Sequence, residues 1–152
     1  EHLDSINKKN IKINIIGDKS TLSQDHKSLI EDIENKTHYN TGMILNAAFN
    51  YSGRDEIKRM ILKVFKDIKS KSITESDINE DLISEYLDTK DIPDPDLIIR
   101  TSGEKRISNF LLWQCAYSEF VFYDTLWPDF SEILLEDAIN QYRSRDRRFG
   151  SS

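Results

Sequence analysis

The stretch Asp96-Leu97-Ile98-Ile99-Arg100-Thr101-Ser102-Gly103-Glu104-Lys105-Arg106-Ile107-Ser108-Asn109-Phe110-Leu111-Leu112-Trp113-Gln114-Cys115-Ala116-Tyr117-Ser118-Glu119-Phe120-Val121-Phe122-Tyr123, closed by Leu126-Trp127-Pro128-Asp129-Phe130, decides how this chain is read. It opens with an apolar β-prone run that ends at an arginine. A short polar loop with Gly103, Arg106 and Ser108 follows, then an apolar and aromatic segment, then a glutamate that opens a second β-prone run. A strand that delivers an arginine to its C-terminal end beside a glycine turn is how open α/β sheets build anion sites. Arg100 and Arg106 carry fork-shaped donors that match phosphate oxygens, and the Ser108 hydroxyl and the loop N–H groups complete a cradle. If the two strands are neighbours, Glu119 faces the same rim, and a carboxylate beside a phosphate cradle suggests magnesium between them.

Outward from this stretch, the composition narrows the class. The chain has 152 residues, enough for one domain with a real core. A net charge of −6 argues against a nucleic-acid groove and makes a local concentration of arginine more informative. The single cysteine, Cys115, has no intrachain partner and reads as a small core residue in a reducing compartment. No apolar run approaches the roughly 20 residues of a membrane span, and no signal peptide is visible. The first residue is Glu1 rather than methionine, which suggests a processed or truncated product.

Toward the N-terminus, residues 1–9 read as the end of a helix and residues 11–16 as a strand of a covered sheet, stopped by Gly17-Asp18. Ser20 or Thr21 caps a helix carrying Leu22, Leu29, Ile30 and Ile33. His26 and His38 lack a second ligand at metal spacing and read as solvated. Residues 43–49 form a second strand, and Asn50-Tyr51-Ser52-Gly53-Arg54 turns into a long helix buried through Ile57, Ile61, Leu62, Val64, Phe65 and Ile68. Arg54 reads either as an anion contact or as a structural salt bridge to a loop carboxylate. Thr74 or Ser76 caps a short acidic helix, and Pro93 and Pro95 bring the chain in extended. Asp129-Phe130-Ser131-Glu132 has capping-box spacing before a last helix, whose end is basic at Arg143, Arg145, Arg147 and Arg148.

The residues alone reach a diphosphate site at a sheet edge. The quoted stretch, however, closely resembles the cis-prenyltransferases, the undecaprenyl diphosphate synthase family. Asp-Leu-Ile-Ile-Arg-Thr-Ser-Gly-Glu, Arg-Ile-Ser-Asn-Phe-Leu-Leu-Trp-Gln and Leu-Trp-Pro-Asp-Phe are similar to that family's C-terminal signatures. Asn50-Tyr51-Ser52-Gly53-Arg54 resembles its central motif and Arg148-Phe149-Gly150 its terminal Arg-x-Gly. The resemblance implies an α/β fold, a mostly parallel sheet flanked by helices, with the N-terminal strands and helices missing and a single domain over 1–152. It implies elongation of an allylic prenyl diphosphate, such as farnesyl diphosphate, with isopentenyl diphosphate to a long-chain product such as undecaprenyl diphosphate. Arg100, Arg106 and Ser108 would grip isopentenyl diphosphate. Glu119 would serve magnesium, and Arg148 and Gly150 would reach the diphosphate of a partner subunit across a homodimer. The resemblance also implies a cytoplasmic setting, peripheral at the inner membrane face, with the product delivered to the membrane.

The same resemblance exposes departures. No Asp-Gly-Asn loop occurs in these 152 residues, so no catalytic aspartate is assigned and the fragment alone is expected to be inactive. Lys105 stands where some relatives carry histidine, and it can touch phosphate but cannot act as a neutral ligand. Met43 aligns with the floor of the product tunnel or is plain core, and Trp113 reads as core and dimer packing. A bared sheet edge is expected to make the remnant oligomeric. The two other readings are a non-catalytic partner subunit of a prenyltransferase and an unrelated phosphate-binding α/β hydrolase with Ser102 as nucleophile. The latter lacks a Gly-x-Ser-x-Gly elbow.

Overall fold

The computed structural model describes residues 2–145. The chain forms two compact units, Glu1–Asp91 and Ile92–Ser152, each with its own pair of parallel strands. In the first unit, helix α1 (His2–Lys8) leads into strand β1 (Lys12–Ile16). Helix α2 (Gln24–Thr37) then crosses to strand β2 (Ile44–Ala48), followed by α3 (Gly53–Lys69) and α4 (Glu80–Tyr86). β1 pairs with β2 in parallel from Lys12↔Ile44 to Ile16↔Ala48. Parallel neighbours need a crossover connection, and α2 supplies it. The tight turn after β1 requires Gly17, whose φ is +124°, because a Cβ there would lie 2.1 Å from the Phe49 carbonyl oxygen.

The free edge of β1 is closed by the chain itself. The Ile13 N–H donates to Thr37 Oγ1 at 3.1 Å, and the Ile15 N–H donates to Glu34 Oε1 at 2.8 Å. Alternate amides of a strand point to the same side, so one turn of α2 satisfies two successive outward donors. At this edge of β1, side chains from the crossover helix accept the bonds that a neighbouring strand would take.

Helix α3 buries Gly53, Glu56, Met60 and Val64. Val64 is buried and Ile57 and Ile68 are half-buried as expected, but Ile61, Leu62 and Phe65 are 55%, 60% and 59% exposed. The buried stripe combines the apolar Met60 and Val64 with the polar Glu56. Glu56, 1% exposed, accepts from the Tyr51 hydroxyl at 2.6 Å and from the Asp88 N–H at 2.9 Å. Arg59 grips both Asp88 oxygens at 2.7 and 2.6 Å and reaches Asp55 at 2.8 Å. This bidentate pairing with Asp88 first, and Asp55 after it, raises the Arg59 pKa against the opposing effect of burial.

Helix boundaries shift for the same local reasons. Asp18 holds Ser20 in a tight side-chain turn, so Ser23 rather than Ser20 or Thr21 caps α2. Thr74 caps only a 3-10 turn, Glu75–Asp77, and Asn79 caps α4. His26 and His38 are exposed, as the sequence suggested.

The second unit contains β3 (Leu97–Arg100), β4 (Glu119–Phe122) and α5 (Glu132–Ser144). β3 and β4 are parallel, from Leu97↔Glu119 to Arg100↔Phe122. Ser131 caps α5, and the Asp129 region forms a 3-10 turn instead of the helix start. α5 packs on β4. There the Tyr123 hydroxyl donates to Asp137 Oδ2 at 2.5 Å, and Tyr142 donates to Asp96 at 3.0 Å. Burial first, and the Asp137 hydrogen bond second, push the Tyr123 phenol up to about 12.

Two outcomes follow from these contacts. Thr37→Val strands the Ile13 N–H in a buried setting and should cost about 1–3 kcal/mol, read as a lower urea midpoint with the m-value unchanged. Tyr123 has a raised folded pKa, so its contribution to stability is complete below its ordinary value of 10.0 and fades as pH rises through about 12. Tyr123→Phe should flatten the stability profile across that window and remove the last phenolate step from the ultraviolet titration.

Candidate anion-binding site

The alternation of β3 and β4 sorts side chains to two faces. Ile98 and Arg100 share one face of β3, and their register partners Phe120 and Phe122 share the same face of β4. Together with Ile107 and Phe110 from the connection, these residues line a cavity of about 210 Å³ whose polar lip is Arg100, Arg106 and Ser108. The connection, residues 101–118, contains no regular helix or strand. Its start is held at the C-terminal end of the pair by Tyr123 N–H to Arg100 O at 2.8 Å, Gly103 N–H to Tyr123 O at 2.9 Å and Ser102 N–H to Thr125 O at 2.8 Å.

These bonds fold the loop back over the strand end, so Arg100 Nη1 donates to Ser108 Oγ at 2.8 Å and to the Arg106 carbonyl. The structure thus brings Arg100, Arg106 and Ser108 together as expected from the sequence. The backbone there is strained: Ser102, Gly103, Ser108, Asn109 and Leu111 all have φ between +46° and +69°. A non-glycine residue in that region costs about 1–2 kcal/mol. Such strain concentrates where a loop is shaped for a task.

Glu119 is placed differently from the expectation. It is the register partner of Leu97, not of Arg100, so it stands at the other end of the pair. Three residues at about 3.3 Å each put it roughly 10 Å along the strands from the Arg100 position. By alternation it also belongs with Val121 and Tyr123, on the α5 side. Its Oε2 accepts from Arg145 Nη1 at 2.6 Å, and Arg145 also donates to the Phe120 carbonyl at 3.0 Å. Parallel pairing is the reason: two strands that run the same way bring C-terminus beside C-terminus, so a residue that heads the second strand cannot share the rim where the first one ends. The carboxylates of this unit do not gather around Arg100. Glu119 is turned away, Glu104 is paired with Arg106, and no group of three or more metal-binding side chains occurs among the described residues.

Of the remaining candidates, Arg148 and Gly150 lie outside the described residues. Lys105 is exposed on the loop, and Arg54 is exposed in the first turn of α3. Met43 is 60% exposed, so it is not core in its unit. Cys115 is half-buried, with its thiol pushed up by burial. The unit that holds Ser102 has no histidine to serve as a base. Sequence reasoning missed Glu104, whose two-residue spacing from Arg106 was the available signal. It also missed the aromatic pair Phe120 and Phe122, stacked at 6.0 Å, whose period-2 spacing marked one strand face.

Fold and loop together define an α/β protein that gathers Arg100, Arg106 and Ser108 at the lip of an apolar cavity. Residues 1–150 match the sequence model described as putative undecaprenyl diphosphate synthase, and the chain belongs to that family. It is 52% identical over 145 residues to an isoprenyl transferase of Clostridium tetani, covering 95% of this chain and 57% of that protein. It is 49% identical over 148 residues to a ditrans,polycis-undecaprenyl-diphosphate synthase of Buchnera aphidicola, covering 97% and 58%. Among solved structures, lavandulyl diphosphate synthase from Lavandula x intermedia, in complex with dimethylallyl diphosphate, superposes with a TM-score of 0.92. Its identity is 36%, with coverage of 98% of this chain and 64% of that one. A probable undecaprenyl diphosphate synthase from Campylobacter jejuni gives 0.85 at 35% identity, covering 98% and 67%. The chain spans less than three fifths of the length of both curated relatives.

The placement of Glu119 is open to a direct check. Charges on opposite ends of the pair are separated by more than the Debye length of about 8 Å at 0.15 M ionic strength and are largely screened. Glu119→Gln should therefore leave the calorimetric affinity of the chain for inorganic diphosphate unchanged. Loss of the exposed pair with Arg145 should lower stability by no more than about 1 kcal/mol. A change of about tenfold in diphosphate affinity in either direction, about 1.4 kcal/mol, would put Glu119 at the cradle after all.

Proposed function

We propose that this chain carries the isopentenyl diphosphate site of a cis-prenyltransferase. The observation that carries the reading is the Arg100–Ser108–Arg106 lip over a cavity walled by Ile98, Phe110, Phe120 and Phe122. A short branched hydrocarbon with a diphosphate head needs this combination: fork donors for the anion and a small apolar wall for the chain. The names of the relatives support the reaction class, and the dimethylallyl diphosphate complex of the lavender enzyme supports the kind of substrate.

In the proposed reaction the allylic C–O bond breaks and diphosphate leaves. The double bond of isopentenyl diphosphate supplies the electron pair for the new C–C bond, and one proton is then lost to restore a double bond of cis geometry. The part of this chain is to hold the homoallylic diphosphate and aim the alkene. Fixing a reactant in attack geometry converts an encounter into an intramolecular step. Magnesium is left out of this account, because the described carboxylates do not gather at the cradle. No Asp-Gly-Asn occurs in the 152 residues, so the allylic half of the site has to come from other sequence, and the chain by itself binds rather than elongates.

A homodimer in which Arg148 and Gly150 reach the partner's diphosphate, action at the cytoplasmic membrane face, and an undecaprenyl product for a cell-wall carrier lipid belong to the same proposal. No helix among the described residues is long and apolar enough to cross a membrane. The reading as a silent partner subunit is disfavoured by the assembled cradle, which assembly alone does not require.

In a full-length enzyme containing this chain, Arg100→Ala leaves phosphate charge unpaired in a partly desolvated site and should cost about 2–5 kcal/mol. That corresponds to a weakening of isopentenyl diphosphate binding by roughly thirtyfold to several thousandfold. Affinity for the allylic substrate should change far less. An unchanged isopentenyl diphosphate KM and kcat would remove the assignment. The 152-residue chain should bind isopentenyl diphosphate by calorimetry yet form no polyprenyl product.

A further inference from the structure

The cradle's arginines are engaged from within. Arg100 is engaged by Ser108 and by the Arg106 carbonyl, and the Arg106 guanidinium forms an ion pair with Glu104, two residues back in the same loop. The Arg106 side chain is 65% exposed and that of Glu104 38% exposed, so the pair sits at the open lip rather than inside the wall. A guanidinium fork matches one carboxylate or two phosphate oxygens, and a donor committed to the first is withdrawn from the second.

We infer that Glu104 is a resident counter-ion of the cradle, a carboxylate that an incoming diphosphate must displace from Arg106. The inference rests on the reading of Arg100 and Arg106 as diphosphate ligands and adds a competitor to it. Glu104 weakens every anion that uses Arg106, which keeps weakly bound singly charged anions from filling the site. A diphosphate recovers the loss because its two phosphoryl groups engage Arg100 and Arg106 together.

The test is calorimetric titration of the 152-residue chain with inorganic diphosphate at fixed ionic strength. An exposed ion pair is worth about 0.2–1 kcal/mol, so Glu104→Gln should tighten diphosphate binding by roughly 1.5- to 5-fold. Two controls separate displacement from a general change in charge. Asp124, whose carboxylate oxygen lies 3.3 Å from where a Gly103 Cβ would be, flanks the same loop, and Asp124→Asn should give a smaller gain or none. In an Arg106→Gln background, Glu104→Gln should give no gain at all, since the competitor has nothing left to compete for. An equal gain from Asp124→Asn, or a gain that survives Arg106→Gln, overturns the inference. So does a diphosphate affinity that falls with Arg100→Ala yet ignores Glu104→Gln, a result that leaves the proposed function standing. Failure of the parent chain to bind diphosphate overturns both.

Discussion

The parallel pairing of β3 with β4 is the constraint on which the site depends. One main-chain bond, Tyr123 N–H to the Arg100 carbonyl, fixes the end of the first strand against the end of the second. The next two, from Ser102 and Gly103, turn the connection back over that end. Holding the Arg100 carbonyl fixes the point from which its side chain leaves the strand. Ser108 and the Arg106 carbonyl then meet its guanidinium without any long-range element. The cavity follows from the same register, since Ile98↔Phe120 and Arg100↔Phe122 put two aromatic rings under the arginine.

The connection of residues 101–118 does without the helix that usually joins parallel strands, and several of its residues accept left-handed backbone angles. The strain is tolerable because both ends are pinned by strand pairing. It spares the lip a helix that would bury the arginines. In the first unit the crossover is a helix and does a second task, closing the β1 edge with Thr37 and Glu34. One chain thus uses a helix crossover where an edge needs covering and an open loop where a ligand needs access.

Polar burial shapes the first unit as much as apolar packing does. Glu56 can be buried because the Tyr51 hydroxyl and the Asp88 amide satisfy it, and Arg59 ties α3 to the residues just past α4 through Asp88. On α3, Glu56 shares the buried face with Met60 and Val64. They leave Ile61, Leu62 and Phe65 on the opposite, open face.

Strand positions, the Gly17 and Gly103 turns, the arginine at a strand end and its meeting with Arg106 and Ser108 were all legible in the sequence. Each rests on local chemistry: β-propensity, a backbone angle only glycine takes freely, and donors spaced within one loop. The family resemblance was legible too, because it lies in a continuous run of residue types. What only tertiary structure decided was relative direction and competition. Parallel register sent Glu119 to the end away from Arg100, and no local pattern carries that direction. Ser23, Asn79 and Ser131 displaced earlier candidate caps, because neighbouring side chains such as Asp18 had engaged them or bent the chain first. The buried face of α3 was settled by partners dozens of residues away. A sequence names the groups that can bond, and only the folded chain determines which partner each one reaches.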